Sequence, residues 1–78
     1  MEVETIGETA GKIWKQLGTK GQTSLKTLAR HVGSDQATTQ LAVGWLAREG
    51  KVRLGKKGEQ IIVALTETEA REFERTGR

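Results

Sequence analysis

The hydrophobic spacing of this 78-residue chain changes from helical to strand period at Gly50. Before Gly50, apolar residues recur at steps of three and four, the spacing that lines one face of an α-helix. After it, Val52 and Leu54 alternate with Lys51 and Arg53, and Ile61, Val63 and Leu65 alternate in the same way. That is the period of a half-buried strand. Helices and a hairpin must therefore share one domain spanning residues 1–78, and at this length the core is thin.

Local signals divide the helical part. Thr5-x-x-Glu8 has the form of a capping box, a hydroxyl at the N-cap and a carboxylate three residues on. Ile6, Ala10, Ile13, Trp14 and Leu17 follow at helical spacing, and Gly18 is the expected stop, which predicts a first helix near 5–17. Gly7 and Gly11 inside it weaken the helix by up to ~1 kcal/mol each relative to alanine. Either something approaches the backbone there or the glycines are merely tolerated. Ser24 can cap a second helix near 24–32, with the stripe Leu25, Leu28, Ala29 and Val32. Gly33 breaks it. Ser34 can cap a third helix near 35–49, with Asp35 at its positive end, and Gly50 ends it. Two short helices around a glycine turn are the signature of a helix-turn-helix, here about 24–49.

A two-residue turn at Lys57-Gly58 is the expected hinge of a hairpin near 51–65. It would pair Leu54 with Ile61, Val52 with Val63, and Lys56 with Glu59. A longer loop over Gly55–Gly58 is the alternative. A hairpin directly after a helix-turn-helix is a wing. Thr66-x-x-Glu69 opens a final helix near 67–75, whose clear apolar residues are Ala70 and Phe73. That helix can dock on the first helix, pack on a second subunit, or fray. The fold class is thus α+β, a winged helix-turn-helix of three helices, a C-terminal β-hairpin wing and a short final helix. Trp14, Leu28, Leu46 and Val63 are the expected core.

Charge is unevenly laid out. Residues 12–57 carry ten Lys or Arg against Asp35 and Glu49, a net +8, between two acidic ends. A basic middle is what a polyanion would feel. The third helix offers Ser34, Gln36 and Gln40 near its N-terminal half, and glutamine pairs bidentately with adenine. Its outer face, Gln36, Ala37, Gln40, Gly44 and Arg48, has no Lys or Arg in the first three turns. Cations lie instead at Lys26 and Arg30 on the second helix and at Lys51, Arg53, Lys56 and Lys57 on the wing, where they suit phosphates. Leu41, Ala42, Val43, Trp45 and Leu46 make an apolar arc of about 200° at 100° per residue, wider than a core requires. The first expectation is that the first helix covers Leu41 and Trp45. The second is that Leu41, Gly44, Trp45 and Phe73 form a dimer or partner surface.

Catalysis finds no support. His31 is the one histidine and cysteine is absent, so thiolate metal sites, disulfides and cysteine nucleophiles are excluded. Asp35 and Glu49 sit at opposite ends of the third helix, about 21 Å apart along its axis, too far for a carboxylate pair. Gly18-Thr19-Lys20-Gly21 has the form of an RNA-clamping Gly-x-x-Gly, but such a domain needs a strand before it, and residues 1–5 are too few and too acidic. No cofactor, metal or small-molecule ligand is implied. No apolar run approaches the roughly 20 residues of a membrane span, Met1-Glu2-Val3-Glu4 lacks the layout of a signal peptide, and a small chain without cysteine fits a reducing cytosol.

The run from Ala42 to Lys51, with its Gly-Trp-Leu-Ala-Arg-Glu string, and the run from Ile6 to Trp14 resemble a family of small prokaryotic winged helix-turn-helix proteins of unknown function. The resemblance covers most of the chain. It implies the winged helix fold and a homodimer, and it carries no established ligand. The expected function is a DNA-binding module, dimeric and transcription-associated, with the third helix in the major groove and the wing on the backbone. The rival is a protein-interaction module on the same scaffold.

Overall fold

Ile6, Ala10, Ile13 and Leu17 line one stripe of a helix longer than its local signals indicate. The computed structural model, which describes residues 2–76, gives α1 as Val3–Lys20. The capping box at Thr5 does not form. The helix starts earlier, with Glu2 at the N-cap and its carbonyl accepting from the Thr5 and Ile6 amides. Nor does Gly18 stop it. The chain turns at Gly21, whose positive φ of 86° suits glycine, and its amide reaches the Leu17 carbonyl at 2.9 Å.

Gly18 has another use. A Cβ at that position would collide with the Phe73 ring, only 2.6 Å from Cε1. Phe73 belongs to α4, Glu67–Thr76, which docks on α1. Phe73 is therefore a core residue, 8% exposed, and not part of a partner surface as its sparse stripe suggested. Its ring meets Trp14 edge-on at 5.2 Å between centroids. Trp14, expected in the core, is half-buried at this seam, where its indole N–H donates to Glu69 Oε1 at 2.7 Å. Thr66 does cap α4 through the Glu69 amide, at 3.4 Å, but the Glu69 carboxylate has gone to Trp14.

Between α1 and α4 lie β1 (Thr23–Ser24), α2 (Leu25–Val32), α3 (Gln36–Arg48), β2 (Val52–Lys57) and β3 (Gln60–Leu65). The strands form an antiparallel sheet in the order β1-β3-β2. Ile13, Leu28, Leu46, Val52 and Val63 bring the helices and the sheet into one core, with Leu28, Leu46 and Val63 buried as expected. Thr39 is fully buried and satisfies its hydroxyl on the Asp35 carbonyl at 2.8 Å.

The hairpin register differs from the expected one by two residues. Val52 pairs with Leu65, Leu54 with Val63, Lys56 with Ile61, and Lys57 with Gln60, so the turn residues are Gly58 and Glu59. Gly58 has φ 63°, and no non-glycine residue among those described has positive φ. That combination matches a type II′ turn, which wants glycine at its first central position and matches the twist of the strands. Turn geometry thus outweighs the Lys56–Glu59 charge pair, whose worth at the surface is small.

Candidate nucleic-acid interface

Three elements position the expected contacts. Ser24 caps α2, accepting from the Thr27 amide at 3.1 Å. α2 ends at Gly33, left-handed at φ 68°, and the Ser34 amide returns to the Ala29 carbonyl at 3.2 Å. Ser34 is therefore the closing residue of the turn and not the cap of α3. Asp35 is that cap: its Oδ1 accepts from the Thr38 amide at 2.7 Å. This bond and a second one with the Thr38 side chain hold the Asp35 carboxyl below the usual carboxylate range.

α3 presents Gln36, Ala37, Gln40, Leu41, Gly44, Trp45 and Arg48 to solvent, and buries Thr38, Thr39, Ala42, Val43 and Leu46. α1 does not cover the wide apolar arc as first expected. Leu41 is 51% exposed and Trp45 37%. The Trp45 ring borders α1 at Gly7, where a Cβ would lie 4.0 Å from its Cη2, an ordinary contact. Gly11 meets nothing within 4 Å.

The cations lie on the elements before and after α3 in the chain. Lys26 and Arg30 on α2, and Arg53, Lys56 and Lys57 on β2, are exposed. Among the described residues none of the five is in an ion pair. Lys51 differs: it is half-buried and lies 3.8 Å from Glu49. Its backbone joins the end of α3 to the base of the wing, donating to the Leu46 carbonyl and accepting from the Thr66 amide.

The register also sorts the wing by side. Alternation puts Arg53, Gly55 and Lys57 on one face and Val52, Leu54 and Lys56 on the other. Lys56 and Lys57, expected to act together, point to opposite faces. Leu54, 52% exposed, and Ile61, 40% exposed, share the Lys56 side beyond the core. Their exposure was not anticipated. Strand length carries the signal: six residues at about 3.3 Å each outrun so small a body.

The one histidine, His31, is exposed, with Nδ1 3.1 Å from Gln16 Nε2. Among the described residues no group of three His, Cys, Asp or Glu is placed to hold a metal. No described helix is long and apolar enough to cross a membrane.

Residues 1–65 match the family model described as a winged helix-turn-helix domain (DUF2582). The solution structure of protein BT2368 from Bacteroides thetaiotaomicron superposes with a TM-score of 0.74 at 40% identity, over 83% of this chain and 79% of that one. The transcriptional regulator PA4135 gives a TM-score of 0.80 at 22% identity, over 90% of this chain and 54% of that one. The chain therefore spans about half of that regulator. The Zalpha domain of PKZ from Carassius auratus, solved in complex with Z-DNA, gives 0.70 at 21% identity, over 78% of this chain and 97% of that one. The last two likenesses show a shared fold.

Proposed function

Because the chain belongs to the winged helix-turn-helix domain family DUF2582, we propose that it binds duplex DNA in the cytoplasm as a small transcription-associated module. One observation carries this reading. The outer face of α3 is exposed, and the elements on either side of it in the chain carry exposed cations, Lys26 and Arg30 on α2 and Arg53, Lys56 and Lys57 on β2. In helix-turn-helix proteins the second helix of the pair enters the major groove, and flanking cations fix its register on the phosphates. Shared folds with a transcriptional regulator and with a domain solved on Z-DNA support the same reading.

A salt titration with mixed-sequence duplex DNA tests it. Each phosphate neutralised releases a counterion, so log K falls against log salt with a slope of about −0.9 per contact. A steep slope is expected, flatter in the Lys56→Ala/Lys57→Ala variant. Absence of binding near 50 mM salt at tens of micromolar protein would reject it. The exposed Leu41 and Trp45 favour a second reading, a partner or dimer surface that includes Gly44. Sedimentation gives that reading its own test: a homodimer dispersed by Trp45→Ala would support it.

A further inference from the structure

We infer that the outer face of α3 reads A·T base pairs through thymine methyl groups and adenine edges, an assignment that rests on the DNA-binding reading above. The inventory of this face is narrow. At 100° per residue it runs from Gln36 and Gln40 at one edge, through Gly44 and Ala37, to Arg48 and Leu41. Each base offers the major groove a different partner. Guanine wants a cation at O6 and N7, cytosine wants an acceptor at N4, adenine pairs with a carboxamide at N6 and N7, and thymine offers a methyl group to apolar side chains. Between Gln36 and Ala47 the helix has no cation to meet guanine and no carboxylate to meet cytosine. Asp35 stands just before it, but its carboxylate is held by the Thr38 amide and the Thr38 side chain. What remains is two carboxamides for adenine, and Ala37 and Leu41 for thymine. Half of the Leu41 side chain is open to solvent, so its methyls are available to an outside partner.

Gly44 supplies an independent observation. It lies in mid-helix, where glycine weakens the helix. Its φ is not in the left-handed region, and a Cβ there would meet nothing within 4 Å. The fold itself therefore has no need of glycine at this position. A surface that must come close to the helix backbone does, and the floor of a major groove is such a surface. Arg48, one turn further on, reaches outward at the C-terminal end of the helix, where a phosphate contact suits it.

The test compares four duplexes of one length at fixed salt by fluorescence anisotropy: A·T-rich, G·C-rich, mixed, and the A·T-rich sequence with deoxyuridine in place of thymidine. Deoxyuridine removes only the methyl group. The A·T-rich duplex is expected to bind best, on the order of tenfold over the G·C-rich one. Deoxyuridine should weaken binding by about fourfold for each methyl in contact. Leu41→Ala should shrink the thymidine-to-deoxyuridine ratio towards one, while Gln36→Ala/Gln40→Ala should lower the A·T preference and keep that ratio. Gly44→Leu, which the fold can accept, should weaken binding to every duplex with an unchanged circular dichroism spectrum. Equal binding to all four duplexes with a normal salt slope overturns this inference and leaves the DNA reading standing. An A·T preference undiminished by deoxyuridine and unmoved by Gln36→Ala/Gln40→Ala also overturns it, since recognition then comes from groove shape. No binding to any duplex overturns both.

Discussion

Where α4 crosses α1, the Phe73 ring lies on the backbone of Gly18 and edge-on to Trp14, and the Trp14 indole is tied to Glu69. At the far end of the wing, Leu54, Lys56, Lys57 and Ile61 stand exposed. In the first region a methyl group added at Gly18 would collide with the ring; in the second the side chains stand in solvent. In a domain with so thin a core, the buried Phe73 at the seam contributes alongside the buried arc of α3. The surfaces left for a ligand are those whose side chains contribute least to folding. Substitutions should separate the two regions cleanly.

The largest effect belongs to Phe73→Ala. It should destabilise the chain by about 3–5 kcal/mol in chemical denaturation, as for a buried aromatic. A loss below about 1 kcal/mol would mean α4 is dispensable and the comparison wrong. Gly18→Ala should cost about 1–3 kcal/mol in the parent chain, because the methyl group collides with the ring. In the Phe73→Ala background the sign should reverse to a gain of about 0.5–1 kcal/mol, since alanine is the better helix residue once the ring is gone. Additive effects would place the ring elsewhere. Trp14→Phe keeps the aromatic contact and removes the bond to Glu69, for a loss of about 1 kcal/mol.

A smaller effect is expected at the cap of α3. The Asp35 carboxyl titrates lower in the folded chain than unfolded, because the Thr38 amide and side chain bond to its ionised form. Its contribution is thus present at neutral pH and is lost as pH falls below about 4. Asp35→Asn retains a cap that does not titrate, and its stability curve should be the flatter of the two through that acid range. At the wing, Lys57→Ala should change stability by less than about 0.5 kcal/mol while flattening the salt slope of DNA binding. A clear loss of stability there would erase the contrast between the regions.

The elements were legible in the sequence to the extent that their signals are local. The period change at Gly50, the left-handed Gly33 and the Thr66 cap all act within a few residues of themselves, and all hold in the structure. What could not be read depends on distant partners. Gly18 has the composition of a helix end, and only the Phe73 ring, 55 positions on, shows why the helix runs through it. Trp14 fits a core stripe, yet its indole nitrogen needs a polar partner and finds one on α4, which draws it to the edge of the core. The hairpin is the mixed case. Charge pairing suggested one register and the turn imposed another, but the two differ by two residues. Val52, Leu54, Ile61 and Val63 therefore keep the face expected of them. The candidate interface follows the same division. Its cations and glutamines could be listed from the sequence, whereas the exposure of Leu41 and the opposed directions of Lys56 and Lys57 required the packing of α1 and the register of the wing.

That alternation limits how the wing can change length over generations. Inserting one residue between Val52 and Gly58 would reverse the sidedness of every residue beyond it. A lysine would move onto the strip that continues from the core, and an apolar residue would take its place on the opposite face. Adding two residues would lengthen the reach of the wing and leave both faces as they are. Relatives that differ in wing length should therefore differ by even numbers of residues in each strand, and an odd difference should come with a bulge that restores the phase.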